Sequence, residues 1–187
     1  MATNISKSQT ICGIDKSKKE EKLVECKVYN LTLPENPMSG WAMFNEGVPV
    51  SELVGKQFEF IIKVDNEQLV FIGLNYIYIM CHERDCCECV TIDDICGDLQ
   101  DLITSPIIVA EELHSKNILP KKDEWDESFT WTFYKFATTR GYVDIKWYGA
   151  SNGYYSESAD LYKISDEDFE RMFKYYIQQI KKHQETL

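Results

Sequence analysis

Two periods organise the hydrophobic positions of this chain: a period of two through most of its length, and one near 3.6 at its C-terminal end. Val24, Cys26, Val28 and Asn30 alternate with Glu25, Lys27 and Tyr29, which predicts a short strand, and Pro34, Asn36, Pro37 and Gly40 interrupt it. Trp41 to Pro49 reads as a loop. From Lys56 the alternation strengthens. Phe58, Phe60, Ile62 and Val64 share one face of a strand, Asp65-Asn66-Glu67 supplies a turn, and Leu69 to Ile72 returns. After a second turn at Gly73 to Asn75, Tyr76 to Cys81 completes an antiparallel meander rich in Ile and Tyr. Val90 to Ile92 adds a short strand, Asp98 to Ile103 a short helix, and Pro106 to Ala110 an extended stretch.

A polar interval from Glu111 to Glu127 separates this half from two long β segments, Phe129 to Thr138 and Tyr142 to Tyr148, joined by Thr139-Arg140-Gly141. Tyr155 to Ile164 gives a third. Trp131, Phe133, Lys135 and Ala137 fall on one face and Thr130, Thr132, Tyr134 and Phe136 on the other, so part of this sheet is expected to be covered on both sides. Behind Ser165, a good N-cap, Phe169, Met172, Phe173, Tyr176, Ile177 and Ile180 form a helical stripe. Asp166, Glu167 and Asp168 at its start and Lys181, Lys182 and His183 near its end complement the helix dipole.

The fold class is therefore α+β: an antiparallel β-sheet meander packed with a C-terminal amphipathic helix and a short internal helix. Residues 1–24, polar and without apolar period, read as a flexible arm, and 25–187 as one α+β domain around one core.

Charge narrows the function classes. With 20 Lys and Arg against 31 Asp and Glu, the net charge is -11, which argues against a nonspecific nucleic-acid binder, because phosphate affinity needs clustered cations. Imitation of DNA would need carboxylates arrayed over one face, whereas here they are spread along the chain with lysines between them. No apolar run approaches the roughly 20 residues that span a bilayer, and the first residues lack the pattern of a secretory signal. A cytoplasmic protein with no membrane contact is expected, its seven cysteines reduced.

Two segments concentrate chemistry. Cys81 to Asp98 carries Cys81, His82, Glu83, Arg84, Asp85, Cys86, Cys87, Glu88, Cys89, Asp93, Asp94, Cys96 and Asp98. Structural zinc prefers two spaced Cys pairs, and here Cys86, Cys87 and Cys89 are crowded with no distant second pair, so no metal is assigned. A thiolate with His82 as base is conceivable, yet nothing selects one cysteine. The plainer reading is small apolar cysteines filling a turn that His82 and Asp85 hydrogen-bond.

The other segment is Trp147 to Ser156. Gly149, Asn152 and Gly153 allow a tight turn, and Trp147, Tyr148, Tyr154 and Tyr155 around Ser151 and Asn152 would suit a planar ligand such as a nucleobase, although rings are also ordinary sheet residues. P-loop, G-x-G-x-x-G and H-E-x-x-H patterns are missing from the chain. His114 and His183 read as exposed, and Lys121 to Glu127 as a solvated loop.

The run His82-Glu83-Arg84-Asp85-Cys86-Cys87-Glu88, then Ile92-Asp93-Asp94-Ile95-Cys96-Gly97-Asp98-Leu99, Asp101-Leu102-Ile103 and Ser105-Pro106-Ile107, resembles an uncharacterised domain family encoded largely by bacteriophages and prophages. Thr130-Trp131-Thr132-Phe133-Tyr134 and Trp147-Tyr148-Gly149 through Ser151-Asn152-Gly153-Tyr154-Tyr155-Ser156 look like its second half, so the resemblance covers about Leu53 to Ile164. Arg84 departs from it, standing where an uncharged amide is expected.

The resemblance implies an accessory protein that counters host defence in the bacterial cytoplasm. Joined to the aromatic turn, it leads to the expectation of a homo-oligomeric binder that sequesters a nucleotide-derived immune signal, an ADP-ribose derivative or cyclic nucleotide, without turnover or cofactor. Trp147, Tyr154 or Tyr155 would stack on the base, and His82, Arg84, Ser151 and Asn152, with Asp85 beside them, would meet ribose or phosphate. The alternatives are an acidic inhibitor of a host defence protein and a metal- or thiol-dependent hydrolase of the same signal.

Overall fold

The computed structural model describes residues 24–33, 47–115 and 119–186, so most of the expected arm and much of the Trp41 to Pro49 loop lie outside the described residues. Among the described residues, nine strands form two sheets. The first has five strands in the order β1 (Val28–Leu31), β2 (Phe60–Val64), β3 (Gln68–Ile72), β4 (Ile77–Cys81), β9 (Asp160–Lys163). The expected meander is its centre, with β2, β3 and β4 antiparallel, while β1 joins β2 in parallel. The second sheet runs β5 (Cys89–Cys96), β8 (Tyr142–Ser151), β7 (Ser128–Ala137), β6 (Val109–Ser115), all antiparallel.

The alternation of side chains across β2, β3 and β4 divides burial into two layers rather than one core. Ile61, Leu69, Phe71, Tyr78 and Met80 face the second sheet, where Tyr134, Phe136, Val143, Ile145 and Trp147 meet them. Phe60, Ile62, Val70, Ile72, Ile77 and Ile79 point the other way, onto helix α1 (Asp166–Glu185) through Met172, Tyr176 and Ile180. Ser165 caps that helix by accepting the Asp168 N–H at 3.2 Å. The order is helix, five-stranded sheet, four-stranded sheet, and the α+β class stands.

Several elements depart from expectation. β5 runs beyond Val90 to Ile92 because a bulge between Ile92 and Asp94 absorbs the break in alternation. β6 extends to Ser115, well into the interval expected to be only polar. The expected helix over Asp98 to Ile103 is a 3-10 turn, Leu99–Leu102, with the Asp98 side chain accepting from Gln100 N at its start. The strand expected over Tyr155 to Ile164 is confined to β9 and pairs with β4, in the other sheet.

That last feature positions the site. Neighbours β4 and β9 lie in one sheet and neighbours β5 and β8 in the other, so the connections β4 to β5 (82–88) and β8 to β9 (152–159) cross between the sheets side by side. The His82 imidazole binds the Ser158 carbonyl at 2.9 Å across them. Glycine at position 149 makes the second crossing possible: a Cβ there would meet the Glu157 carbonyl oxygen at 1.9 Å.

Candidate functional site

Each crossing is organised by one buried carboxylate. In 82–88 it is Glu88, whose side chain is wholly covered. Its carboxylate accepts the backbone N–H of Asp85 and of Cys86, the latter at 3.0 Å, and lies 3.3 Å from His82 Nε2. Burial alone would raise its pKa, but the N–H donors of Asp85, Glu88 and Cys86, helped by His82, hold it down at about 2. A charged group is thus buried at a turn that supplies several donors to it.

In 152–159 the carboxylate is Glu157, 8% exposed. Thr130 Oγ1 donates to one oxygen and Ser151 Oγ to the other, both at 2.7 Å. Ser151 Oγ also accepts the Gly153 N–H at 2.8 Å, and Asn152 Oδ1 accepts the Tyr154 N–H at 3.1 Å, so the turn is closed by its own side chains. Gly153 takes φ +85, the left-handed conformation that favours glycine.

A cleft of about 210 Å³ opens beside Glu157, lined by His114, Ser128, Thr130, Gly153, Tyr155, Ser156, Glu157 and Ser158. It forms where the apolar inner face of the second sheet gives way to Thr130, Thr132 and His114. These lining residues present hydroxyls, an imidazole, one carboxylate and one aromatic ring, and no lysine or arginine. Both nitrogens of His114 are engaged, Nδ1 with Thr132 at 3.4 Å and Nε2 with Glu112. At the cleft's edge the neighbouring Cys86 thiol raises the pKa of the Tyr155 phenol.

The fold therefore brings the two chemical segments together but redistributes their roles. Trp147 is fully buried in the layer between the sheets, where no surface ligand can stack on it, so its expected ligand role is corrected. Tyr148 points to the other face and is also buried. His82 is covered, with both ring nitrogens committed to Ser158 and Glu88, so its expected phosphate contact is corrected as well. Ser151 and Asn152 hold the turn, Arg84 and Asp85 are exposed beside it, and Tyr154 is 84% exposed with its ring edge-on to Tyr155 at 5.1 Å. Tyr155 alone of the expected residues lines the cleft. The cysteines are not filler: Cys81 is buried, but Cys86, Cys87, Cys89 and Cys96 are exposed. Among the described residues no group of three His, Cys, Asp or Glu is placed to hold a metal ion.

Sequence reasoning missed Glu88, Glu157, Thr130 and His114. Lys121 to Glu127 is largely exposed, as expected of a solvated loop, and it also reaches the outer face of the second sheet. The Tyr148 hydroxyl accepts from Lys122 N at 3.1 Å and donates to Asp126. Lys122 and Lys146 flank the Trp131 ring at 5.7 and 4.2 Å from its centroid, and both reach Asp93. Partial burial raises the Asp93 pKa, and the two ammonium groups more than reverse it, giving a net lowering. Trp131 is consequently only 3% exposed.

With this geometry in view, the chain belongs to the family of a domain of unknown function, DUF7448, whose match spans residues 51–161. No curated protein and no solved structure matches it. No helix among the described residues is long and apolar enough to cross a membrane.

Proposed function

We propose that this DUF7448 protein is a non-catalytic binder whose cleft takes the ribose-bearing part of a small nucleotide-derived ligand, an ADP-ribose derivative or a cyclic nucleotide. The observation that carries the reading is the Glu157 carboxylate in its ring of hydroxyls. An ionised carboxylate has about four acceptor sites, and Thr130 and Ser151 use two, leaving others for the hydroxyl donors of a sugar. Ser128, Ser156 and Ser158 add groups that donate or accept as required, and Tyr155, with Tyr154 beside it, offers a ring for a base. A carboxylate without a lysine or arginine in the lining disfavours phosphate there, so phosphate belongs outside, toward Arg84 on the neighbouring 82–88 crossing.

Binding without turnover is supported by the two imidazoles, His82 and His114, whose ring nitrogens all have protein partners. Sequestration of a host immune signal is the biological role that the resemblance to phage-encoded proteins suggests, in homo-oligomeric form if a second copy closes the open side of the cleft. Calorimetric titration of the folded protein with adenosine, ADP-ribose and cyclic mono- and dinucleotides tests the reading. At least one ligand should bind, with affinity reduced about tenfold or more in Tyr155→Ala, the loss expected for one good contact. Absence of heat across the panel, or binding indifferent to Tyr155→Ala and Glu157→Gln alike, would overturn it.

A further inference from the structure

Cys86 and Cys87 are adjacent, both exposed, and their Sγ atoms stand 2.9 Å apart. Adjacent residues rarely present their side chains to one another, since in extended chain successive Cβ atoms point to opposite sides. Here a turn brings them together: the backbone N–H groups of Asp85 and Cys86 both converge on the buried Glu88 carboxylate, which ties the chain just before the first thiol to the residue just after the second. We propose that Cys86 and Cys87 form a reversible thiol-oxidation site, converted to a vicinal disulfide by a small disulfide of the glutathione class.

The exchange balances without further reactants. One protein thiolate attacks a sulfur of the small disulfide, forming a mixed disulfide and releasing one small thiol. The neighbouring thiolate then attacks the protein-side sulfur and releases the second. Two protein S–H bonds and the small molecule's S–S bond are lost, while one protein S–S bond and two small-molecule S–H bonds are gained. The two electrons pass from the protein to the small disulfide.

Reversibility follows from adjacency. Consecutive Cα atoms are about 3.8 Å apart, closer than the roughly 4.4 Å at which ordinary disulfide geometry begins. Exposed bonds made under such constraint are reduced easily and belong to the labile, regulatory class. Cys89 and Cys96 are exposed too, but Cys96 donates to Asp94 at 3.3 Å, and neither is brought against another thiol as Cys86 is. The crossing that carries Cys86 lies against the 152–159 crossing through the His82–Ser158 bond, and Ser158 lines the cleft, which places the reaction beside it.

The full chain, treated with oxidised glutathione, alkylated and digested without reduction, gives the test by peptide mass. The peptide holding Cys86 and Cys87 should lose two hydrogens, regain them with dithiothreitol, and behave identically in Cys89→Ser. Cys87→Ser should instead retain glutathione on Cys86, with no loss of hydrogens. A stable glutathione adduct in the unaltered chain, a link from either residue to another cysteine, or no reaction at this peptide would each overturn the proposal. The readout is covalent and independent of whether the cleft binds a nucleotide.

Discussion

The two sheets end differently. In the five-stranded sheet, β3 and β4 are buried at every position, with apolar neighbours on both faces for most of their length. In the four-stranded sheet, the inner face is apolar at Tyr134, Phe136, Val143, Ile145 and Trp147, then turns polar at Thr130, Thr132 and His114, where Glu157 of the 152–159 crossing joins them. The first sheet is scaffold throughout. The second is scaffold at one end and a carboxylate-centred cleft at the other, and the change occurs within single strands. Chemistry in this molecule sits where the sandwich stops being apolar, because there a polar side chain can be largely buried and still find partners.

Substitutions at the two ends should separate in size and in kind. The largest effect belongs to Trp147→Ala, which empties a fully buried position and should cost about 3 to 5 kcal/mol in chemical denaturation. A cost under about 1 kcal/mol would mean that Trp147 is not core, and would reopen its role as a ligand contact.

Next comes Glu88→Gln, which replaces a buried acceptor of backbone N–H groups by a side chain with half the acceptor capacity. The loss should be about 1.5 to 3 kcal/mol, the worth of hydrogen bonds to a charged group. The same residue sets an acid limb. Its folded pKa of about 2 lies below its ordinary 4.5, so its stabilisation is complete above pH 4.5 and is lost as pH falls toward 2. Denaturation midpoints across that window should fall less steeply in Glu88→Gln than in the unaltered protein. Equal slopes would deny Glu88 this role.

How much of the contrast was legible in the sequence follows the same divide. The meander and α1 could be read because their buried faces are continuously apolar: Phe60, Ile62 and Val64 announce a strand, and Met172, Tyr176 and Ile180 a helix face, although Phe58, expected beside Phe60, lies before β2 and packs in the other layer. β6 beyond Ala110 could not, because its inward residues Glu112 and His114 are polar and Leu113 points outward at 62% exposure, which inverts the usual signal. The residues that make the cleft are the ones that disguise its strand. Parity along β8 did carry the correct answer for Trp147, which alternates with Val143 and Ile145, while the clustering of rings suggested a stacking wall. Glu157 gave no local sign, since its partners Thr130 and Ser151 come from two other strands.

Smaller effects test the outer face. Lys146→Met removes one of two cations from Asp93 and from the Trp131 ring, and should cost about 0.5 to 1 kcal/mol, the range of an exposed cation–π contact. The loss should shrink at high salt as the ion-pair part is screened. Smallest of all, Tyr154→Ala at an 84% exposed ring should leave stability within about 0.5 kcal/mol of the parent. A larger loss would make the turn part of the scaffold and erase the contrast with Trp147.

In the proposed binding mode, Glu157 and its hydroxyl neighbours read the sugar of a nucleotide-derived ligand. That mode is tested most directly by titrating the folded protein with the tightest-binding nucleotide of the panel and with its counterpart lacking the free ribose hydroxyls. The deoxygenated ligand should bind at least about tenfold more weakly, and the difference between the two should be much smaller in Glu157→Gln. Equal affinities of the unaltered protein for both ligands would contradict it.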